Sequence, residues 1–343
     1  MPKRASLAAY AVSRLVLALP MLLILLSVVF LVLRVLPGDP IAALYGGRAP
    51  PAVVAAARAR YGLDLPWYTQ YAIYLRQIFT GDFGTSLGEI YRGNSVLGTI
   101  LLKLPATVEL AIGAMLIATV VGLTTGVLGG VNRDKPVDVA MRLYGTVVWV
   151  IPIFWLGLMF QLVFAVELRW LPASLRWDPG VPFPPKITGL LTIDSLIEGN
   201  LGDFVIALRH LVLPCLTLGL VLSGFFTKTV RANLLRTVNS DYAEAARARG
   251  VRTRSIVYRY AFKNALIPVV TILGLQFAIL FAGAVLTERT FSWDGMGTLL
   301  LDSINSKDYP MIQGTIVVYA FIIIVISVCI DIVNGLIDPR VRY

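Results

Sequence analysis

One histidine, two cysteines and only 15% charged side chains in 343 residues leave little material for most kinds of chemistry. His210 stands alone, so no His-Glu-x-x-His zinc helix exists, and an interfacial hydrogen-bonding role for it outweighs a metal or catalytic one. Cys215 and Cys329 both lie in apolar stretches, which excludes a loop disulfide framework and says little about redox compartment. No Gly-x-x-x-x-Gly-Lys-[Ser/Thr] occurs, so the chain has no P-loop to cradle ATP phosphates. An ordinary soluble domain is about 25% charged, and 57% of this chain is hydrophobic, so a soluble globular class is excluded as well.

What the sequence has is length without charge. Six runs lack Asp, Glu, Lys, Arg and His altogether: 15–33, 110–132, 143–166, 211–227, 264–287 and 309–330. Each is close to the roughly 20 residues that a helix needs to cross about 30 Å of hydrocarbon. The fold class is therefore an all-α polytopic membrane protein with six transmembrane helices. Lys3, Arg4 and Arg14 before the first run resemble the start of a signal peptide. That run is 19 residues long, beyond the usual 7 to 15, and lacks a clear small-residue cleavage site, so it reads as a retained first span.

The loops sort by charge. Segments 1–14, 132–142, 228–263 and 331–343 hold 17 Lys and Arg in 74 residues, whereas 34–109, 167–209 and 288–308 hold 13 in 140. Basic excess marks short cytoplasmic loops and weakens as a rule for long ones, so both termini are expected to be cytoplasmic. The net charge of +10 is topology signal, and no nucleic-acid partner is expected. The organisation read from this pattern is a cytoplasmic N-terminus and first span (1–33), an external segment with interfacial helices (34–103), and a core of spans two to six (104–343).

In the external segment, Pro50 and Pro51 open a short helix to about Tyr61. After Pro66, Trp67, Tyr71, Tyr74 and Ile78 share one helical face, suited to the membrane interface, to the outer mouth of the bundle or to plain packing. The stretch 179–185 (PGVPFPP) predicts irregular backbone. Gly122, Gly126 and Gly130 leave a groove for close helix approach, and Pro20, Pro152, Pro214 and Pro268 fall where they kink or start helices.

The six runs contain no ionisable residue, which disfavours a proton-coupled carrier working through buried carboxylates. Gln161 and Gln276 are the most polar side chains well inside the runs; they are the candidates for a substrate path, with packing as the alternative. Gly84-Thr85-Ser86-Leu87-Gly88 matches a nucleophile pattern, Gly-x-Ser-x-Gly. No buried strand precedes Ser86, as that pattern requires, so no catalytic residue is assigned.

Segment 228–263 is too polar for lipid and too patterned for a tether. Asp241 and Glu244 place two carboxylates at a helix start, in an acidic variant of the capping box. Residues 242–249 are strong helix formers, Gly250 suits the reversing C′ position, and a second helix is expected from about Thr253 to Lys263. Ala243, Ala245 and Ala246 give the first helix a low surface that another protein can approach closely.

Glu244-Ala245-Ala246, three residues, then Gly250, resembles the EAA signature of ATP-binding-cassette importer permeases, placed before the penultimate span. Further matches are Leu36-Pro-Gly-Asp-Pro40, Gly62-Leu-Asp-Leu-Pro66, Gly81-Asp-Phe-Gly84, His210-Leu-Val-Leu-Pro214, Lys263-Asn-Ala-Leu-Ile-Pro268, Thr287-Glu288, Phe291-Ser-Trp-Asp-Gly295, Asp308-Tyr-Pro310 and Asp338-Pro-Arg340. Together they resemble the first permease subunit of the dipeptide/oligopeptide (Dpp/Opp-type) family. Two features depart from the wider superfamily: Pro268 lies 18 residues beyond Gly250, and the loop 167–209 is long.

The resemblance implies a type I ABC importer permease fold whose coupling helix, carried by Asp241, Tyr242, Glu244, Ala245, Ala246 and Gly250, sits in a cleft of a cytoplasmic ATPase. It further implies two ATPase subunits binding ATP and Mg, a second permease completing a bundle of about twelve spans, an extracytoplasmic substrate-binding protein, and location in the inner membrane of a prokaryote. The chain itself carries no cofactor and no metal and is not an enzyme. Substrates in such a family are peptides, with nickel chelates, glutathione and some oligosaccharides as alternatives. A stand-alone channel surviving loss of the 241–250 helix, and a hydrolase using Ser86, are the competing readings.

Overall fold

In the computed structural model, each of the six uncharged runs falls on a helix or a broken pair of helices. Residues 7–35, 50–60 and 62–337 are described; Leu36–Pro40, Asp338–Arg340, Lys3, Arg4 and Tyr61 lie outside them. Among the described residues there is no strand, only an isolated antiparallel bridge between Thr85 and Ser95. In chain order the helices are α1 (Leu7–Val35), α2 (Pro51–Arg60), α3 (Trp67–Thr80), α4 (Val96–Val131), α5 (Pro136–Val150), α6 (Ile153–Phe160), α7 (Leu191–Glu198), α8 (Leu201–Val238), α9 (Asp241–Ala248), α10 (Phe262–Thr290), α11 (Met296–Asn305) and α12 (Tyr309–Ile337). Four of them, α1, α4, α8 and α12, are long and apolar enough to cross a membrane, and a fifth span results if α5 and α6 are taken together. Helices suit that task because every backbone polar group is satisfied within the segment.

Several helices outrun the runs that announce them. α4 starts at Val96, capped by Ser95, whose hydroxyl accepts from the Gly98 N–H. It thus extends well into the stretch that charge assigns to the external segment. α8 runs from Leu201 to Val238, so the polar loop expected from residue 228 begins only at Asn239. Charged side chains at a helix end need water or a partner rather than a break in the helix, so they delimit apolar runs without ending the helix.

The third run is not one straight span. α5 and α6 meet at 99°. Ile151 (ψ 128°) and Pro152 (ψ 127°) are both extended, because proline disfavours the α region for the residue before it and has no N–H to offer. The helix after α6 widens to π geometry over Gln161–Glu167.

α4 and α8 run parallel and in register. A Cβ on Gly122, Gly126 or Gly130 would stand 2.4, 2.7 or 2.8 Å from Phe226, Val230 and Leu234 respectively. The glycine groove is therefore filled by the large residues of α8, and Thr125 and Thr227 hydroxyls join across it at 2.7 Å. α5 lies antiparallel to α8 and also touches α4, with Gly145 against the Gly224 carbonyl, Met141 against Gly129 and the Tyr144 hydroxyl 2.6 Å from that of Ser223.

α1 and α12 are antiparallel, and Arg14 reaches Asp331 at 3.4 Å. The start of the first helix and the end of the last therefore share one end of the bundle. Towards the other end, the face predicted on α3 takes the plain-packing alternative, since Tyr71, Tyr74 and Ile78 cluster with Leu26, Phe30 and Val317. Trp67, the fourth member of that stripe, is exposed.

Candidate functional site

The α9 helix hangs from the end of α8 by two residues, Asn239 and Ser240. Ser240 is its N-cap, not Asp241, and makes no side-chain cap bond; its hydroxyl donates back to the Thr237 carbonyl at 2.6 Å. The expected capping box is absent, although Asp241 and Glu244 do occupy the first turn, where the helix dipole favours them. The C-terminal end follows expectation closely. Gly250 has φ 78°, its N–H donates to the Arg247 carbonyl at 2.9 Å, and the Val251 N–H donates to Ala246 at 3.1 Å. That pair of bonds is the Schellman arrangement, with Val251 packed onto the helix.

Ala243 and Ala246 are completely buried against Ile256 and Val251. This corrects the expected low outer surface: two of the three alanines fix α9 to its own chain, and only Ala245 faces out. Asp241, Tyr242, Glu244, Ala245 and Gly250 are exposed. Arg247 braces the helix by donating to the Val238 carbonyl at 2.6 Å. The second helix expected after Gly250 is a short turn, Thr253–Ser255, followed by a π segment, Ile256–Ala261, that runs directly into α10.

Above α9, Asp138 on α5 is fully buried. Arg231 of α8 grips its two oxygens at 2.5 and 2.8 Å, and the Asp134 N–H adds a bond at 3.1 Å. Arg142 stands at 3.8 Å.

The opposite end of the bundle is tied by polar side chains the uncharged runs leave out. Glu109 on α4 accepts from Arg176 at 2.7 Å and from the N–H and hydroxyl of Thr192 at 2.8 and 2.7 Å. Arg176 also lies 5.3 Å above the Trp293 ring, whose indole N–H donates to the Ala106 carbonyl at 2.8 Å. Glu288 on α10, fully buried, accepts from the Thr107 hydroxyl at 2.6 Å and the Thr298 N–H at 3.0 Å. Lys103 pairs with Asp294. The Phe291–Gly295 turn is thus a hub joining α4, α10, α11 and the long loop before α7.

Gln161 serves that same hub. Its amide donates to the Ala173 carbonyl at 2.7 Å and the Thr290 carbonyl at 2.9 Å, a tie between the loop and α10. Gln276 is buried on α10. The two are not brought together as one site. His210 has both ring nitrogens engaged, Nδ1 by the Ser174 and Leu175 carbonyls at 3.1 and 2.9 Å and Nε2 by Asp178 at 2.9 Å. Ser86 is buried, and its hydroxyl donates to Asp308 at 2.5 Å. Ser86 sits in a small hairpin, not on the strand-to-helix elbow that its motif requires, and the one histidine, His210, is engaged elsewhere. Among the described residues no three His, Cys, Asp or Glu side chains gather to hold a metal ion.

Comparison with known proteins places this geometry. Residues 118–343 match the family described as binding-protein-dependent transport system inner membrane component, and residues 7–111 match its N-terminal counterpart. The chain is 38% identical over 336 residues to the dipeptide transport system permease protein DppB of Alkalihalophilus pseudofirmus, covering 98% of this chain and 99% of that one. It is 39% identical over 315 residues to the di/tripeptide transport system permease protein DppB of Pseudomonas aeruginosa, covering 92% of this chain and 93% of that one. It is 33% identical over 335 residues to the glutathione transport system permease protein GsiC of Salmonella choleraesuis, covering 97% and 99%. A match to the family over two thirds of its length, and to permeases over nearly all of it, means that the chain belongs to the binding-protein-dependent transport system inner membrane components, in their Dpp-type branch.

Proposed function

We propose that this chain is a permease subunit of an ATP-driven importer that moves di- or oligopeptides across the cytoplasmic membrane by alternating access, with α9 as its coupling helix. The observation that carries the reading is α9 itself: a short helix locked by a Schellman turn, two buried alanines and Arg247, with Asp241, Tyr242, Glu244 and Ala245 turned outward. A lever must be stiff to transmit force, and a loop is not. One of two ATPase subunits with ATP and Mg would receive α9, a second permease would complete the path, and an external binding protein would deliver the solute.

Six spans follow if α5 and α6 make one and α10 makes the sixth. Their alternation puts α9 and both chain ends in the cytoplasm and the Phe291–Gly295 hub outside. On this reading the segments 1–33, 34–103 and 104–343 are the first span, the external region and the core. The similarity to a glutathione permease supports a second reading in which the solute is a peptide-like thiol compound; nickel chelates and oligosaccharides are further alternatives within the same family.

Purification in mild detergent tests the reading. An ATPase and a second multi-span protein are expected to accompany the chain, and mass spectrometry of what the external binding protein holds identifies the solute. A chain that purifies alone, with α9 touching only lipid or solvent, contradicts it.

A further inference from the structure

We propose that the Asp138–Arg231 ion pair is the positioning device that makes α5 follow the docking helix. This rests on the coupling role of α9 proposed above. Force applied at α9 reaches α8 through Asn239 and Ser240, and Arg231 lies about two turns before the end of α8. Asp138 is in the first turn of α5. Higher up the two helices pack along a stretch that runs from Gly145 against Gly224 and Thr227 to Trp149 against Phe225, with Tyr144 bonded to Ser223 at 2.6 Å. That packing, with Met141 against Gly129 of α4 nearer the base, sets how close α5 lies but not one fixed tilt. The two-pronged ion pair at the base fixes the tilt, makes the two helices a single body and carries the movement of α8 up to the 99° break between α5 and α6.

The chemistry of the base contact suits this task better than it suits stability. Buried ion pairs contribute little net stability over apolar packing of the same volume, because both charges lose their water. What they enforce is geometry: a guanidinium fork held on both oxygens of one carboxylate permits one relative orientation of two helices. Asp138 is fully buried and already holds the Asp134 N–H, so its position is fixed before Arg231 arrives. The groups facing the pair are Asp134 and Arg142 from the α5 side and, across it, Gly129 of α4, whose Cβ position is 3.5 Å from the Asp138 carboxylate.

The test uses the complete transporter purified with its ATPases, with Cys329→Ser and spin labels at Val139→Cys at the base of α5 and Arg236→Cys on α8, both exposed positions. Interspin distances are read without nucleotide and with ATP trapped by orthovanadate. With the ion pair intact the distance is expected to be the same in both states. In the neutral double variant Asp138→Asn with Arg231→Gln, which leaves no lone buried charge, it should shift or broaden by about 2 Å on trapping. Arg231→Lys, which keeps charge but loses the fork, should fall between. A merely structural role would lower yield or melting temperature without making the distance depend on nucleotide. A distance that changes with the pair intact, or one that stays fixed in the double variant, overturns the inference while leaving the role of α9 standing. Absence of any ATPase from the purified complex overturns the reading beneath it, and the inference with it.

Discussion

Ser86 donates to Asp308 at 2.5 Å while the Leu87 N–H adds a bond at 3.1 Å, so the hairpin before α4 is pinned to the start of α12. Ser86→Ala should cost about 1–3 kcal/mol of stability by leaving a buried carboxylate short of a donor, and ATP-driven uptake should persist. Abolished transport in a protein that still folds would revive a catalytic serine. Asp194 makes a parallel case on α7. Burial alone would raise its pKa, but the Thr188 hydroxyl and the N–H groups of Thr188, Gly189 and Ile187 outweigh it and hold the carboxyl below its ordinary value. A depressed carboxylate stabilises the fold above its unfolded value, near 3.9, and that stability is lost as pH falls through the lower folded value. Thermal melts of the detergent-solubilised chain should therefore show an acid-side drop in the native protein that is smaller in Asp194→Asn. Equal drops in both remove the assignment.

At the scale of elements, much was legible in the sequence, and the exceptions share a physical cause. Charge-free runs announced the long helices, and Gly250 announced the turn after α9. The helices reach Val96 and Val238, beyond the charge-free runs, because helices continue through polar residues that are satisfied by partners, and composition does not show who the partners are. Glu109 and Arg176 are 67 positions apart, Arg231 and Asp138 93 apart. Residue types announce that such charges must be paired somewhere, but only the fold brings them together. The 99° break had a signal in Pro152, yet a proline permits a kink without fixing its angle. The glycine groove on α4 is legible in its four-residue spacing and is filled by α8, and it yields a prediction whose sign is informative. Ala is normally better than Gly within a helix by roughly 0.5–1 kcal/mol. At Gly126 the new methyl would stand 2.7 Å from Val230 and 3.0 Å from the Thr227 carbonyl, so overpacking of about 1–3 kcal/mol should win. Gly126→Ala is expected to lower the unfolding temperature, and a rise would mean that α4 and α8 are not in contact there.

For the molecule as a whole, the decisive geometric fact is that its two ends differ in kind. One end gathers Arg14–Asp331, Asp138–Arg231 and the exposed face of α9; the other gathers Glu109–Arg176, Glu288–Thr107 and the long loop before α7. The first end carries the basic segments, and basic loops stay in the cytoplasm, so the whole bundle should have one orientation that chemistry can read. Single cysteines at Ala245 on α9 and at Phe183 on the long loop, both exposed, with Cys329→Ser and Cys215 left in its buried place, provide the reporters. A membrane-impermeant maleimide should label Phe183→Cys in right-side-out vesicles and Ala245→Cys only in inverted ones. With the ATPases bound, Ala245→Cys should become protected while labelling at Phe183→Cys is unchanged, because docking covers α9 and nothing at the far end. Labelling of Ala245→Cys from outside would reverse the bundle, put α9 out of reach of any cytoplasmic motor, and remove the coupling role. Labelling from inside without protection would keep the orientation and remove only the docking.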